Sequence, residues 1–263
     1  MHEKNATTGL PASIHQRLLN KAQKSGRPFN ELLQYYGIER FLYRLSLSDY
    51  ADQFILKGAL MFNVWGMEGF RPTRDIDLLG HTSNAIDTIK DIFQSICRIR
   101  GEADGLEFDA NSVRCERIKE DADYEGIRVT LAGALGKIRI HIQIDIGFAD
   151  IVTPPPMKMD YPTILDHSSP RLYGYSRESV IAEKFQAMTA LGNANSRLKD
   201  FYDVWMLVTN FTFDGRTLKA AIEKTFQNRS TELPDSTHAI FSKGVHSDKR
   251  RAMARFYEED QRP

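Results

Sequence analysis

Between residues 138 and 148 the chain reads Ile138-Arg-Ile-His-Ile-Gln-Ile-Asp-Ile-Gly-Phe148, with isoleucine at five alternate positions. Successive side chains of a β-strand point to opposite faces of the sheet, so this pattern predicts a strand with one fully apolar face. Such a face must be buried against a core. The opposite face carries His141, Gln143 and Asp145, and it is predicted to meet water, a binding site or another polar layer.

The segments around this strand predict a chain that is helical, then mixed, then helical. Residues 75–80 alternate in polarity, and 113–118 and 127–131 are rich in β-branched residues, which predicts three more strands. Apolar residues at helical spacing predict helices at 11–24, 32–46, 86–96, 177–191, 196–209 and 216–228, with another at 248–259. Residues 54–65 are expected to form a buried approach and then a helix. Five prolines between 153 and 175 cannot continue a helix or a central strand, so a long surface connection is expected there.

The predicted fold class is α+β, with a small mixed β-sheet core, N-terminal helices and a C-terminal helical domain. The expected divisions are an N-terminal helical region at 1–50, the core at 51–152, the Pro-rich connection at 153–175 and the helical domain at 176–263. The chain has 263 residues, of which 41% are hydrophobic and 27% charged, enough for one large or two small domains. Neither a secretory signal nor a long apolar run is evident, so a cytoplasmic location is expected.

Two aspartates, Asp75 and Asp77, lie two residues apart in the predicted strand 75–80, so they share one face. Adjacent carboxylates repel each other unless a cation lies between them, and Mg²⁺ or Mn²⁺ would satisfy both. The alternative is a solvated edge strand. If the strand containing Asp145 is a neighbour, that residue supplies a third carboxylate for a two-metal site; otherwise it only solvates a strand end.

Two predicted C-terminal helices carry further candidate residues. Lys184 projects from the apolar arc of helix 177–191, so it either extends its ammonium to the solvent or points into an anion-binding cleft. Arg197, Asp200 and Asp203 are three residues apart and therefore neighbours on one helix. They form either a surface ion-pair ladder or a group in which the acids orient Arg197 or Lys199 toward a nucleotide.

Five motifs follow one another over roughly residues 50–210. They are Leu56-Lys57-Gly58-Ala59-Leu60, Arg71-x-Thr73-x-Asp75-Ile-Asp77-Leu78, Ile142-Gln-Ile-Asp145-Ile-Gly-Phe148, Tyr175-Ser-x-Glu178-x-x-x-Ala182-Glu183-Lys184 and Arg197-x-Lys-Asp200-x-Tyr-Asp203. In this order they resemble the AbiEii/AbiGii toxin family of nucleotidyltransferases. The resemblance implies a DNA-polymerase-β-like nucleotidyltransferase core and a winged-helix antitoxin as partner. It also implies nucleotide transfer to tRNA acceptor ends, as in some members.

The resemblance also implies roles for particular residues. Asp75 and Asp77 would bind Mg²⁺ or Mn²⁺ with Asp145 as the third carboxylate, Lys184 would contact the triphosphate, and Asp200 would be a further catalytic residue. The residues implied to bind the nucleotide with Lys184 are Lys57, Gly58, Ala59, Arg71, Thr73 and Arg197. Related enzymes have Gly-Ser in the phosphate turn, whereas here Ala59 follows Gly58, so backbone amides would bind the anion without a hydroxyl.

These features predict a metal-dependent enzyme that moves NMP from NTP to a hydroxyl of tRNA or another RNA, as the toxin of a phage-defence toxin–antitoxin pair. The alternative is an NTP-binding, toxin-like protein without turnover that acts through protein partners; retention of all three aspartates disfavours it. A metal-dependent phosphohydrolase is disfavoured because the seven histidines are scattered. With 35 basic and 35 acidic residues, RNA must bind a local basic surface. The candidates for that surface are Arg71, Arg74, Arg197, Lys199, Lys243, Lys249, Arg250 and Arg251.

Overall fold

A computed structural model describes residues 6–67, 72–121, 124–192 and 198–235. Its helices are α1 (Ala6–Ser25), α2 (Phe29–Ser46), α3 (Leu60–Val64), α4 (Ile86–Arg98), α5 (Arg177–Leu191), α6 (Leu198–Asn210) and α7 (Gly215–Asn228). Its strands are β1 (Phe54–Lys57), β2 (Asp75–Gly80), β3 (Leu106–Asp121), β4 (Tyr124–Leu135), β5 (Ile138–Gly147), β6 (Met157–Asp160) and β7 (Arg171–Gly174). The predicted α+β class is confirmed. The helix expected at 248–259 lies outside the described residues.

The chain divides into two compact units. Unit 1 comprises Met1–Ala149 with Met157–Gly174, and unit 2 comprises Asp150–Pro156 with Tyr175–Pro263. Unit 1 therefore contains the sheet and α1 to α4, and unit 2 contains α5 to α7. In the part of the chain that the structure describes, no helix is both long enough and apolar enough to cross a membrane.

Seven strands of unit 1 form one mixed sheet in the order β3-β4-β5-β2-β1-β7-β6. Strands β3, β4 and β5 form an antiparallel meander, β5 pairs parallel with β2, and β2 pairs antiparallel with β1. The predicted strand at 138–148 is thus central to the sheet. It also lies directly beside the strand of Asp75 and Asp77, as the three-carboxylate hypothesis requires.

The apolar face of β5 packs on helix α2. Ile140, Ile142, Ile144 and Ile146 are buried, whereas the residues between them are half-buried or exposed. Gly37 of α2 lies so close that an added Cβ would be 2.8 Å from Cγ2 of Ile140. An aromatic cluster extends this core, with the Phe93 ring 6.1 Å from Phe41 and 5.6 Å from Phe54. The predicted burial of the isoleucine face is confirmed.

The Pro-rich stretch 153–175 differs from the expected surface connection. It contains β6 and β7, which pair antiparallel, and β7 also pairs parallel with β1. Its prolines lie outside both strands, at 154–156, 162 and 170, so none of them removes a hydrogen bond within either strand. The buried approach and helix expected at 54–65 are strand β1 and the short helix α3, separated by a turn at Gly58 with φ of 69°.

Helix α2 carries a buried ionic network that ties it to loops of unit 1. Arg44 contacts Asp104 at 2.7 Å, and Arg40 contacts Glu102 at 2.5 Å and the carbonyl of Ser168 at 2.6 Å. Glu39 is fully buried, and its Oε2 accepts a hydrogen bond of 2.6 Å from the amide of Ile164. Its Oε1 lies 3.1 Å from Nε of Arg40 without the alignment of a hydrogen bond.

The pKa of Glu39 makes stability depend on pH. Burial raises this pKa to about 7, although the Ile164 amide and Arg40 act to lower it. A raised pKa stabilises the fold fully below the unfolded-state value, and that contribution is lost as the pH rises through about 7. In Glu39→Gln the side-chain oxygen can still accept the hydrogen bond from Ile164 but carries no titratable proton. Relative to this variant, the free energy of unfolding of the native protein should fall by about 3 kcal/mol between pH 4.5 and 7. Urea unfolding of both proteins at pH 5 and pH 8 tests this prediction. The same difference in stability between the native protein and the variant at the two pH values would contradict it.

Candidate active site

The acidic residues of the central strands lie on one face of the sheet. In the parallel pair β2 and β5, Asp77 is opposite Asp145 and Asp75 is opposite Gln143. Residues paired in register point to the same face, and these four alternate with the buried Ile76, Leu78, Ile144 and Ile146. All four are half-buried, so they remain accessible to a ligand. Strand β1 places the buried Lys57 opposite Asp77 on the other side.

The turn after β1 lies against Asp77. Gly58 has φ of 69°, a conformation that favours glycine, and an added Cβ would be only 1.9 Å from Oδ2 of Asp77. Ala59 follows in a helical conformation at the start of α3 and is buried. The turn therefore needs glycine for two reasons, its backbone conformation and the close approach of the carboxylate.

Gly58→Ala should therefore move Asp77 as well as strain the backbone. We expect a loss of about 1–3 kcal/mol in stability from strain and clash together, and a loss of any activity that depends on the position of the Asp77 carboxylate. Gly66→Ala is a matched control, because Gly66 has φ of 77° but no atom within 4 Å of its added Cβ. Equal effects of the two substitutions on activity would show that the contact with Asp77 is not needed.

Asp145 is held by an arginine from the next strand. Arg128 of β4 is opposite Asp145 in the register, and its Nε and Nη2 each donate a 2.8 Å hydrogen bond to one carboxylate oxygen. The hydrogen bond to Asp145 raises the pKa of Arg128, so the guanidinium stays charged. Both oxygens of Asp145 are thus neutralised by the protein, and Arg128 remains about one-third exposed.

The carboxylates can be tested against the Mg²⁺ that the sequence predicts. Within the described residues, no three His, Cys, Asp or Glu side chains are grouped closely enough to hold a metal ion. Mg²⁺ is, however, commonly bound by one or two carboxylates together with substrate phosphates. Asp75 and Asp77 supply such a pair on one strand face, beside the glycine turn. The donor set therefore fits one ion, and both oxygens of Asp145 are already hydrogen-bonded to Arg128.

The segment preceding β2 is attached to helix α2. The backbone amide of Thr73 donates a 2.9 Å hydrogen bond to the Tyr35 hydroxyl, and Thr73 Oγ1 lies 3.5 Å from the Asp75 carbonyl. Arg74 is exposed beside Asp75. Arg71, which was predicted to bind the nucleotide, lies outside the described residues.

Lys184 and Asp200 are brought together in unit 2. Nζ of Lys184 is 2.9 Å from Oδ1 of Asp200 and 2.7 Å from Oδ2 of Asp203, and the lysine side chain is 16% exposed. Burial acts to lower the pKa of Lys184, but the carboxylates of Asp203 and Asp200 outweigh it and raise the pKa above its ordinary value. The lysine does not extend to solvent from an apolar surface; it neutralises two buried acids.

Helix α6 buries both of its aspartates. Asp200, Tyr202, Asp203 and Leu207 are buried, whereas Trp205 is half exposed. A surface ion-pair ladder is thus wrong for Asp200 and Asp203, because their charges are compensated inside by Lys184. Lys199 is exposed on the same helix, and Arg197 lies outside the described residues, as do the basic residues between 243 and 251.

Arg128 is the residue of this face that sequence reasoning missed. Its position between the buried Ile127 and Val129 does predict a polar-facing side chain. The partner of that side chain follows only from the pairing register of β4 with β5, which no local pattern specifies.

Comparison with known proteins places the chain in a family. The sequence profile described as "Nucleotidyl transferase AbiEii toxin, Type IV TA system" matches residues 40–263. The chain therefore belongs to the AbiEii family of nucleotidyl transferase toxins, as the five motifs predicted. Membership in a type IV toxin–antitoxin family implies an antitoxin partner. No curated protein sequence matches the chain significantly.

Two solved structures from Helicobacter pylori are similar in part. The protein JHP933 is 12% identical, with a TM-score of 0.42 over 84% of this chain and 94% of its own. A second protein, described as a candidate nucleotidyltransferase, is 15% identical, with a TM-score of 0.42 over 85% of this chain and 96% of its own.

Proposed function

We propose that this chain is a magnesium-dependent enzyme that transfers a nucleoside monophosphate from an NTP to a hydroxyl of tRNA or another RNA, with phage defence as its role. The observation that carries the proposal is the placement of Asp75 and Asp77 on one face of the central strand, with the Gly58 turn packed against Asp77. Membership in a nucleotidyl transferase family supports the reaction type.

In this reaction the carboxylates of Asp75 and Asp77 would hold Mg²⁺. The bound ion would lower the pKa of the acceptor hydroxyl and neutralise charge on the phosphates. The Gly58 turn limits the position of Asp77, because no side chain separates the two. Arg128 donates hydrogen bonds to both oxygens of Asp145, which we propose as the third carboxylate of the site.

Lys184 is proposed to contact the triphosphate. Asp200 and Asp203 keep its ammonium protonated and fix its position, and they use two of its three N–H donors. The third donor can bind a phosphate oxygen. The second oxygen of Asp200 is buried and accepts no hydrogen bond from the described residues, so it can accept one from a ligand or its water.

A labelling experiment tests the proposed reaction. We expect purified protein, incubated with each α-labelled NTP, Mg²⁺ and total RNA, to transfer label to RNA. Omission of Mg²⁺, or Asp75→Asn, should abolish the transfer. NTP binding without any label in RNA would favour instead the alternative of a nucleotide-binding toxin that acts through a protein partner.

A further inference from the structure

A cavity of about 670 Å³ opens beside Asp75, the first residue of β2. Its walls are the start of α2 with the preceding Pro28, the segment 72–75, and His141 and Gln143 in the middle of β5. This volume is in the range of small-molecule binding sites. All of these elements belong to unit 1, so the cavity is formed within one compact body.

The walls of the cavity are cross-linked by hydrogen bonds. The side-chain amide of Gln34 donates to the carbonyl of His141 at 2.8 Å and lies 3.5 Å from the carbonyl of Arg74. The Tyr35 hydroxyl accepts from the amide of Thr73 on the opposite wall. Helix, strand and segment are therefore held together, and a ligand would meet a preformed site.

Other polar groups of the cavity have unused hydrogen-bonding capacity. Asn30, Arg74, His141 and Gln143 all line it, and within the described part of the chain their side chains make no hydrogen bond to protein. Gln143 is half-buried and is the register partner of Asp75. Side-chain amides offer a donor and an acceptor together, as needed to pair with the edge of a nucleobase.

The charge of the cavity disfavours phosphate as its ligand. The positive charge of Arg74 is balanced by the negative charge of Asp75, which also lines the cavity. Glu31 forms an ion pair with Arg27 at 2.6 Å. The cavity has no excess of cationic side chains to favour phosphate. A neutral ligand with several donors and acceptors is the better chemical match.

We propose that this cavity binds a nucleoside and that Gln143 and Asn30 read its base. The proposal rests on the proposed function, since Asp75 would then place the ribose or its phosphate near the metal. The nucleoside is either that of the incoming NTP or the terminal one of the acceptor RNA. Both present the same base and ribose chemistry to the cavity.

Nucleoside binding tests the cavity without requiring catalysis. Adenosine, guanosine, cytidine, uridine and their triphosphates are titrated into the full-length protein and followed by ligand-observed NMR. Gln143→Leu and the exposed Asn30→Ala should each weaken the preferred nucleoside about tenfold. Gln94→Leu, a half-buried glutamine on α4 outside the cavity, is the matched control and should bind as the native protein does.

Transfer assays then identify the source of the nucleoside. Loss of preference among the four NTPs in Gln143→Leu assigns the cavity to the NTP, and loss of preference among RNAs with different 3′ nucleosides assigns it to the acceptor. Nucleoside binding that both variants weaken, without any RNA labelling by the native protein, supports the cavity while rejecting the proposed reaction. Native-like binding and preference in both variants, or no nucleoside binding by the native protein at millimolar concentration, overturns the proposal.

Discussion

Asp77→Asn should lower the rate of nucleotidyl transfer about a thousandfold or more, equivalent to about 4 kcal/mol of transition-state stabilisation. The substitution keeps the shape of the side chain but removes the charge that we propose binds the ion. Urea unfolding is measured alongside to separate the effect on transfer from any loss of stability, because Asp77 lies opposite the buried Lys57. Asp75→Asn should behave in the same way, since both residues belong to one proposed site.

The measurement is label transfer to RNA, with Mn²⁺ binding followed by water proton relaxation as a second readout. Asp91→Asn provides the matched control, because Asp91 is an exposed aspartate of unit 1 on α4. It should retain full transfer and full Mn²⁺ binding. Native rates in both Asp75→Asn and Asp77→Asn would refute a metal site at this pair.

Lys184→Met is expected to have the largest effect on stability, lowering the free energy of unfolding by about 3–5 kcal/mol. The reason is the pair of carboxylates that it would leave without a cation: Asp203 is fully buried and Asp200 nearly so. Urea unfolding measures the loss. Lys219→Met is the control, since its 3.7 Å contact with Glu223 is exposed and worth under about 1 kcal/mol.

A compensated variant separates the structural role of Lys184 from its proposed role in binding phosphate. Lys184→Met combined with Asp200→Asn and Asp203→Asn removes all three charges, so most of the lost stability should return. If Lys184 also contacts the triphosphate, this triple variant should bind NTP poorly although its stability is restored. NTP affinity equal to that of the native protein would restrict Lys184 to neutralising the two acids.

Local patterns in the sequence were sufficient for much of the fold. The alternate isoleucines at 138–146 predict the central strand because a strand repeats every two residues, and the same period places Asp75 and Asp77 on one face. The helices at 177–191 and 216–228 follow from their apolar spacing. Five ordered motifs were enough to indicate the AbiEii family, whose profile covers residues 40–263.

Other features depend on contacts between residues far apart in the chain. Strand β5 lies beside β2, and β7 beside β1, although long segments separate them, and no local pattern specifies such pairings or their register. The Arg128–Asp145 pair follows from that register. The burial of Asp200 and Asp203 follows from Lys184 on another helix, because a buried carboxylate is stable only where a partner compensates its charge. Periodicity acts within one element and is visible in sequence, whereas charge compensation and strand pairing exist only once the elements have packed.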